Sequence, residues 1–213
     1  MKTFLNLGGD WSDERIRFAL QVGVTGVVAM PAAPEPDIGH YDISLLRSLR
    51  EKVESAGLEF YGIRLLPWKW TYKWMLGLPG RDGQLENLQK TIRNMGEVGM
   101  PMLVYNMHAL RQYRTSSQAP GRGGTTATAF DYEKVKNLPL MEGGGGTDTS
   151  LIPNGHRKPI GDDEMWANLA YFLEAIVPVA EKAGVRLALH PDDPPVPSIG
   201  GVARIMRSPG AFR

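Results

Sequence analysis

Leu187-Ala188-Leu189-His190-Pro191-Asp192-Asp193-Pro194-Pro195 sets an imidazole and two carboxylates within four residues, directly after an apolar run. Val185 to Leu189 reads as a buried strand. Pro191 has no N–H to give a ladder, so the strand stops there and leaves His190 at its C-terminal end. Imidazole and carboxylate together suit Mn²⁺, Fe²⁺ or Zn²⁺. The same residues also fit a hydrogen-bonded core histidine beside a solvated Asp-Asp-Pro-Pro turn. Strand-end polar residues in α/β folds tend to be catalytic, which keeps the chemical reading level with the structural one. Tyr105-Asn106, at the end of an earlier apolar run, is the other polar pair on the same presumed face, as either a structural or a substrate contact. Arg114 and Arg122 lie beyond it in a glycine-rich stretch.

The elements that must position these residues repeat one unit. Phe4 to Leu7 starts a strand. Ser12 caps a helix with Ile16, Ala19, Leu20 and Gly23 on one face, and Thr25 to Met30 is the next strand. Asp42 caps a second helix with Leu45, Leu46, Leu49 and Val53 inward, ending at Gly57, and Leu58 to Leu66 is the third strand. Leu85, Leu88, Ile92 and Met95 stripe a third helix that stops at Gly99, before a fourth strand from Pro101 to Met107. Asp162 and Asp163 open a fourth helix with Met165, Leu169, Leu173, Ile176 and Ala180 buried and a kink expected at Pro178. A fifth helix is expected to begin near Gly201-Val202-Ala203-Arg204-Ile205.

Continuous apolar strands separated by helices call for a parallel sheet covered on both faces. The expectation is an α/β fold of the (β/α)₈ barrel type with about five of its eight units present, since such barrels run to ~250 residues. It would form one partial domain over 1–213, with a long glycine-rich insert at 108–160. Within that insert, Arg111 to Asp131 is expected to act as a lid and Pro139 to Asn154 as a loose linker. No Lys-Ser or Lys-Thr follows the glycines, so a phosphate-binding loop is a poor match. Trp68-Lys69-Trp70-Thr71-Tyr72-Lys73-Trp74 is expected to pack beneath the lid or to wall a sugar pocket.

Bulk properties narrow the partners. The 213 residues are 42% hydrophobic and 22% charged, and 24 Lys and Arg against 23 Asp and Glu leave a net charge of +1. Near-neutrality argues against nucleic acid or an anionic membrane as the main partner. The chain has no cysteine, so neither disulfides nor thiolate chemistry is available to it. Met1 to Asp10 lacks the features of a signal peptide, and no apolar run approaches the ~18 residues that span a bilayer, so the cytoplasm is the expected compartment.

The residues also carry a family resemblance. Trp166 to Glu181 and Ala183 to Pro195, with the His-Pro-Asp-Asp-Pro-Pro motif at 190–195, closely resemble the mannonate dehydratase family, as do Thr91 to Asn94, Tyr105-Asn106, Arg114-Thr115, Arg122 to Gly124 and Phe130-Asp131. The similarity covers nearly the whole chain and is strongest over 162–206. It implies a xylose-isomerase-like barrel and a metal-dependent lyase that removes water from D-mannonate, giving 2-dehydro-3-deoxy-D-gluconate in hexuronate breakdown with Mn²⁺ or Fe²⁺. It implies that His190 is a metal ligand. On that reading Asp192 and Asp193 are candidates for catalysis or for orienting His190, and Asn106, Arg114 and Arg122 are candidates for holding a small anionic sugar acid.

Three departures accompany the resemblance. The family's other ligands (a cysteine, a second histidine and an aspartate) come from later strands, so the site is expected to be incomplete and the chain alone inactive. Many members show His-His after the second strand, where Pro31-Ala32-Ala33 stands here. Many have a histidine after the third, where Pro67-Trp68-Lys69-Trp70 stands. The alternatives are a sugar isomerase or epimerase on the same barrel, or a catalytically inert fragment whose exposed strand edges favour oligomers.

Overall fold

The computed structural model describes residues 2–213. In chain order its elements are β1 (Phe4–Asn6), α1 (Asp13–Gln21), β2 (Gly26–Ala29), α2 (Ile43–Ser55), β3 (Glu59–Arg64), α3 (Tyr72–Met75), α4 (Arg81–Glu97), β4 (Met102–Tyr105), β5 (Ser116–Pro120), β6 (Thr126–Ala129), α5 (Asp162–Ala183), β7 (Arg186–Leu189), β8 (Ser198–Ile199) and β9 (Val202–Ala203). They fall into two compact units. One comprises the chain up to Trp70 with Gly80–Tyr105 and Phe172–His190; the other comprises Thr71–Pro79, Asn106–Tyr171 and Pro191–Arg213.

The first unit is built on a five-stranded sheet in the order β1-β2-β3-β4-β7, with every pairing parallel. Parallel neighbours need crossovers, and α1, α2 and α4 supply them in this unit. Ser12 and Asp42 accept the Arg15 and Leu45 N–H groups and so start α1 and α2 at the expected caps. The α4 stripe of Leu85, Leu88, Ile92 and Met95 is buried, whereas Leu20 of α1 is 43% exposed. Along α5, Phe172 rather than Leu173 takes the buried position beside Ile176 and Ala180. The α5 helix continues through Pro178, which lies inside it. The fifth strand departs from expectation, because β7 has one neighbour, β4, and its residues are half-buried or exposed.

β3 approaches β4 closely because Gly62 has no side chain. A Cβ there would stand 2.0 Å from the Met102 carbonyl oxygen, in the partner residue of the ladder. Gly62→Ala should therefore push the two strands apart and destabilise the chain by about 1–3 kcal/mol, the usual range for overpacking. A urea midpoint that does not fall would contradict this close approach.

The second unit holds the segment 108–160, which is ordered by its own contacts. β5 and β6 form an antiparallel hairpin, with Gly121 donating to the Thr125 carbonyl at 2.7 Å. The loose linker expected over 139–154 is not found. Met141 donates to Gly200 O and Gly144 to Leu110 O, both at 2.8 Å, and Met141 and Ile152 are buried. The expected fifth helix is also replaced. Gly200 and Gly201 both have positive φ (52° and 76°), as a two-residue hairpin turn requires, and they fold β8 against β9. Ala203 then donates to Ile160 O and Ile160 to Gly201 O, so the backbone bonds of this stretch go to a strand neighbour.

The aromatic stripe after β3 serves packing in each unit. Trp68 and Trp70 are buried in the first, where the Trp70 indole donates to Asp37 Oδ1 at 2.9 Å and its ring meets that of Tyr41 edge-on at 4.9 Å. Trp74 is buried in the second.

Candidate active site

In the first unit the chemistry gathers at the C-terminal strand ends. His190 follows β7 directly, and its N–H donates to Tyr105 O at 2.8 Å. Arg64 is the last residue of β3, and Leu65 beyond it donates to Val104 O at 2.8 Å. The ends of β3 and β7 are thus pinned to successive residues of β4, and the Arg64 side chain reaches across to place Nη2 3.0 Å from His190 Nε2. A guanidinium has no acceptor, so Nε2 must offer its lone pair and the ring proton must sit on Nδ1.

In the second unit the two aspartates of the motif take different partners. Asp193 receives a bidentate pair from Arg114, Nη1 to Oδ1 at 2.8 Å and Nη2 to Oδ2 at 2.5 Å, with both side chains about one-third exposed. That pairing raises the Arg114 guanidinium above its ordinary range. Asp192 is buried. It accepts the Met206 N–H on Oδ2 at 2.6 Å and donates its own N–H to Met206 O at 2.9 Å. Its Oδ1 lies 3.5 Å from His108 Nε2 and 3.8 Å from Arg204 Nη1.

His108 and Arg204 are both 3% exposed, and sequence reasoning singled out neither for a role. His108 Nε2 donates to Pro191 O at 2.7 Å, while the His108 N–H is held by Asn106 Oδ1 at 3.0 Å. Asn106 thereby shapes the turn after β4. Arg204 donates to Asp193 O at 3.0 Å and to Arg111 O at 2.5 Å, stapling the Asp-Asp-Pro-Pro segment to the segment carrying Arg111. Burial pushes the Arg204 guanidinium down to about 10, against the opposing effect of the Asp192 and Asp193 charges. Nearby, Arg207 grips Asp162 bidentately at 3.0 and 2.6 Å and holds its carboxyl below the usual range.

Of the arginines singled out in the sequence, Arg114 meets the aspartate motif. Arg122 sits exposed in the turn between β5 and β6. As to a metal, among the described residues no group of three or more His, Asp or Glu side chains stands close enough to hold an ion. His190 Nε2, at its strand end, faces the Arg64 guanidinium. The described residues do not complete a coordination shell around it.

Comparison with known proteins follows this geometry. The family model for D-mannonate dehydratase (UxuA) matches residues 11–213. A curated mannonate dehydratase from Streptococcus suis (strain 05ZYH33) is 35% identical over 196 residues, covering 86% of this chain and 52% of the relative. One from Streptococcus pneumoniae (strain 70585) is 35% identical over 197 residues with the same coverage. The crystal structure of mannonate dehydratase from Streptococcus suis serotype 2 superposes with a TM-score of 0.79 at 31% identity, over 99% of this chain and 57% of that one. A D-allulose 3-epimerase from Methylomonas sp. matches with a TM-score of 0.53 at 14% identity, over 100% of this chain and 57% of that one, a likeness of fold alone. The chain spans about half the length of the curated relatives it matches. Among the described residues no helix is long and apolar enough to cross a membrane.

Proposed function

The chain belongs to the mannonate dehydratase family, and from that premise we propose that it forms part of a lyase that removes water from D-mannonate to give 2-dehydro-3-deoxy-D-gluconate in hexuronate breakdown. The observation that carries the reading is the His-Pro-Asp-Asp-Pro-Pro motif, with His190 at the end of a parallel strand and Asp193 gripped by Arg114. The five parallel strands are, on this reading, part of an eight-stranded barrel whose remaining strands and site residues lie in the half that the relatives carry beyond the match. The protein works in the cytoplasm on a small sugar acid, and its open strand edges favour self-association.

Dehydration of a sugar acid takes the proton next to the carboxylate and expels the β-hydroxyl, so negative charge develops on the carboxylate oxygens. A bound Mn²⁺ or Fe²⁺ would neutralise that charge. On this reading His190 would supply one imidazole to hold that ion. Arg114 holds the acid end of the substrate. Its bonds to Asp193 and to Tyr113 O use three of the five N–H groups of a guanidinium, which leaves two for a substrate oxygen. Asp193 keeps Arg114 in place and, with Asp192, is the candidate for proton handling. Arg122 and Asn106 complete the candidate substrate contacts.

The test uses the 213-residue chain and the same chain joined to the C-terminal half of the Streptococcus suis relative, each given D-mannonate with Mn²⁺ or Fe²⁺. Product is expected from the joined protein and not from the 213 residues alone. Arg114→Ala in the joined protein should lower kcat/KM at least tenfold, because a charge-assisted pair is worth about 1.5–3 kcal/mol, while Arg122→Ala has the smaller effect. No product from either protein would sink the proposal. Turnover of ketoses in place of mannonate would transfer the site to epimerase chemistry.

A further inference from the structure

A single buried guanidinium holds both halves of the Arg114–Asp193 pair. Arg204 Nη1 donates to Asp193 O at 3.0 Å and Nη2 to Arg111 O at 2.5 Å, and Arg111 stands shortly before Arg114 in the chain. Arg111 is a non-glycine residue in the left-handed region at φ 59°, a conformation that persists only where its surroundings impose it. Its N–H donates to His108 O at 2.8 Å and its carbonyl accepts Arg204, so both of its backbone groups are fixed. Gly144 sets the same segment. Its N–H donates to Leu110 O at 2.8 Å, and a Cβ on it would stand 1.7 Å from Gln112 O.

The bonds of Arg114 leave one edge of its guanidinium unused. Nη1, on the Cδ side, gives one N–H to Tyr113 O at 3.0 Å and the other to Asp193 Oδ1 at 2.8 Å, while Nη2 gives one to Asp193 Oδ2. What remains is Nε–H and the second N–H of Nη2. These two lie parallel on one edge, a fork that matches a carboxylate bidentately. We propose that Arg204 is a positioning residue for this fork: by tying Asp193 to Arg111 it fixes the direction in which Arg114 presents its free edge to the substrate carboxylate. The inference rests on the reading of Arg114 as the group that holds the acid end of the substrate. Lysine in place of Arg204 keeps a cation near Asp192 but has no planar fork with which to bridge two carbonyls.

A spectrum and a kinetic cycle test this role. In the ¹⁵N-labelled 213-residue chain at low temperature, the Arg114 Nη protons should give separate signals, because the bidentate pair slows rotation of the guanidinium. Their loss in Arg114→Ala assigns them. In Arg204→Lys they should merge into one broad signal. In the joined protein, Arg204→Lys should raise KM for D-mannonate about three- to tenfold with kcat nearly unchanged, since the carboxylate is held alike in ground and transition states. Partial unfolding would instead lower apparent kcat and leave KM alone. Gly144→Ala, which displaces the same segment with Arg204 intact, should raise KM likewise. In an Arg114→Ala background, Arg204→Lys should leave KM where it is, because the residue through which it acts is gone. Merged signals in the unaltered chain, separate signals in Arg204→Lys, an unchanged KM in Arg204→Lys and Gly144→Ala, or the same rise in KM without Arg114 would each overturn the proposal. The spectrum needs no turnover, so a joined protein that makes no product sinks the mannonate reading and leaves the positioning role to be decided by the Arg114 signals.

Discussion

His190→Ala in the joined protein is expected to lose bound Mn²⁺ or Fe²⁺ and product formation together, with the fold retained. The substitution removes the imidazole at the end of β7 but not the backbone bond from residue 190 to Tyr105 O that aligns that strand with β4. His190 is half-buried, so truncation leaves a gap at the rim and not in the core. Groups that merely orient a metal ligand cost about 10–100-fold when removed, and loss of the ligand itself should exceed that range. The measurement is metal content per chain together with the rate of product formation from D-mannonate, beside a urea midpoint to show that the variant folds. Undiminished metal content would make His190 a structural histidine paired with Arg64, and the metal reading would fall.

How much of this was legible in the chain depended on whether the governing interaction was local. The caps at Ser12 and Asp42 and the stripe on α4 each follow from residues a few positions apart, and they stand where periodicity puts them. The strand end at His190 was legible for a similar reason, because Pro191 cannot extend a ladder whatever surrounds it. By contrast, Arg64 touches His190 across 126 residues, and nothing near Arg64 in the chain marks it. The glycine run at 143–146 reads as a loose linker from composition. Its order comes from bonds such as Gly144 to Leu110 O, which composition does not encode.

Arg204 shows how a local reading can be overridden. The run Gly201-Val202-Ala203-Arg204-Ile205 reads as the start of a helix. The glycine pair instead turns β8 onto β9, Ile160 takes up the β9 backbone, and the arginine is driven inward at 3% exposure. A charged residue inside an apolar run was the available signal, since arginine is almost never fully buried without a partner.

Arg204→Met should then be the most destabilising single change in the second unit. Methionine keeps much of the side-chain volume but removes the donors to Asp193 O and Arg111 O, and the cation 3.8 Å from Asp192 Oδ1. Asp192 would stay buried beside His108 and the Met206 N–H but without the Arg204 cation, and breaking one side of a buried pair costs about 3–5 kcal/mol. That is a large part of the ~5–15 kcal/mol that holds a typical domain folded. Asp192→Asn keeps an oxygen for the Met206 N–H and removes the charge, so it should cost less. Combined with Arg204→Met it should recover part of the loss, since the double variant removes both charges of the 3.8 Å pair. The four proteins form a double-mutant cycle read from urea midpoints, with hydrogen exchange at Met206 and Arg111 reporting the unit locally. Strict additivity would mean that Arg204 acts only through the two carbonyls and that Asp192 does not depend on its charge.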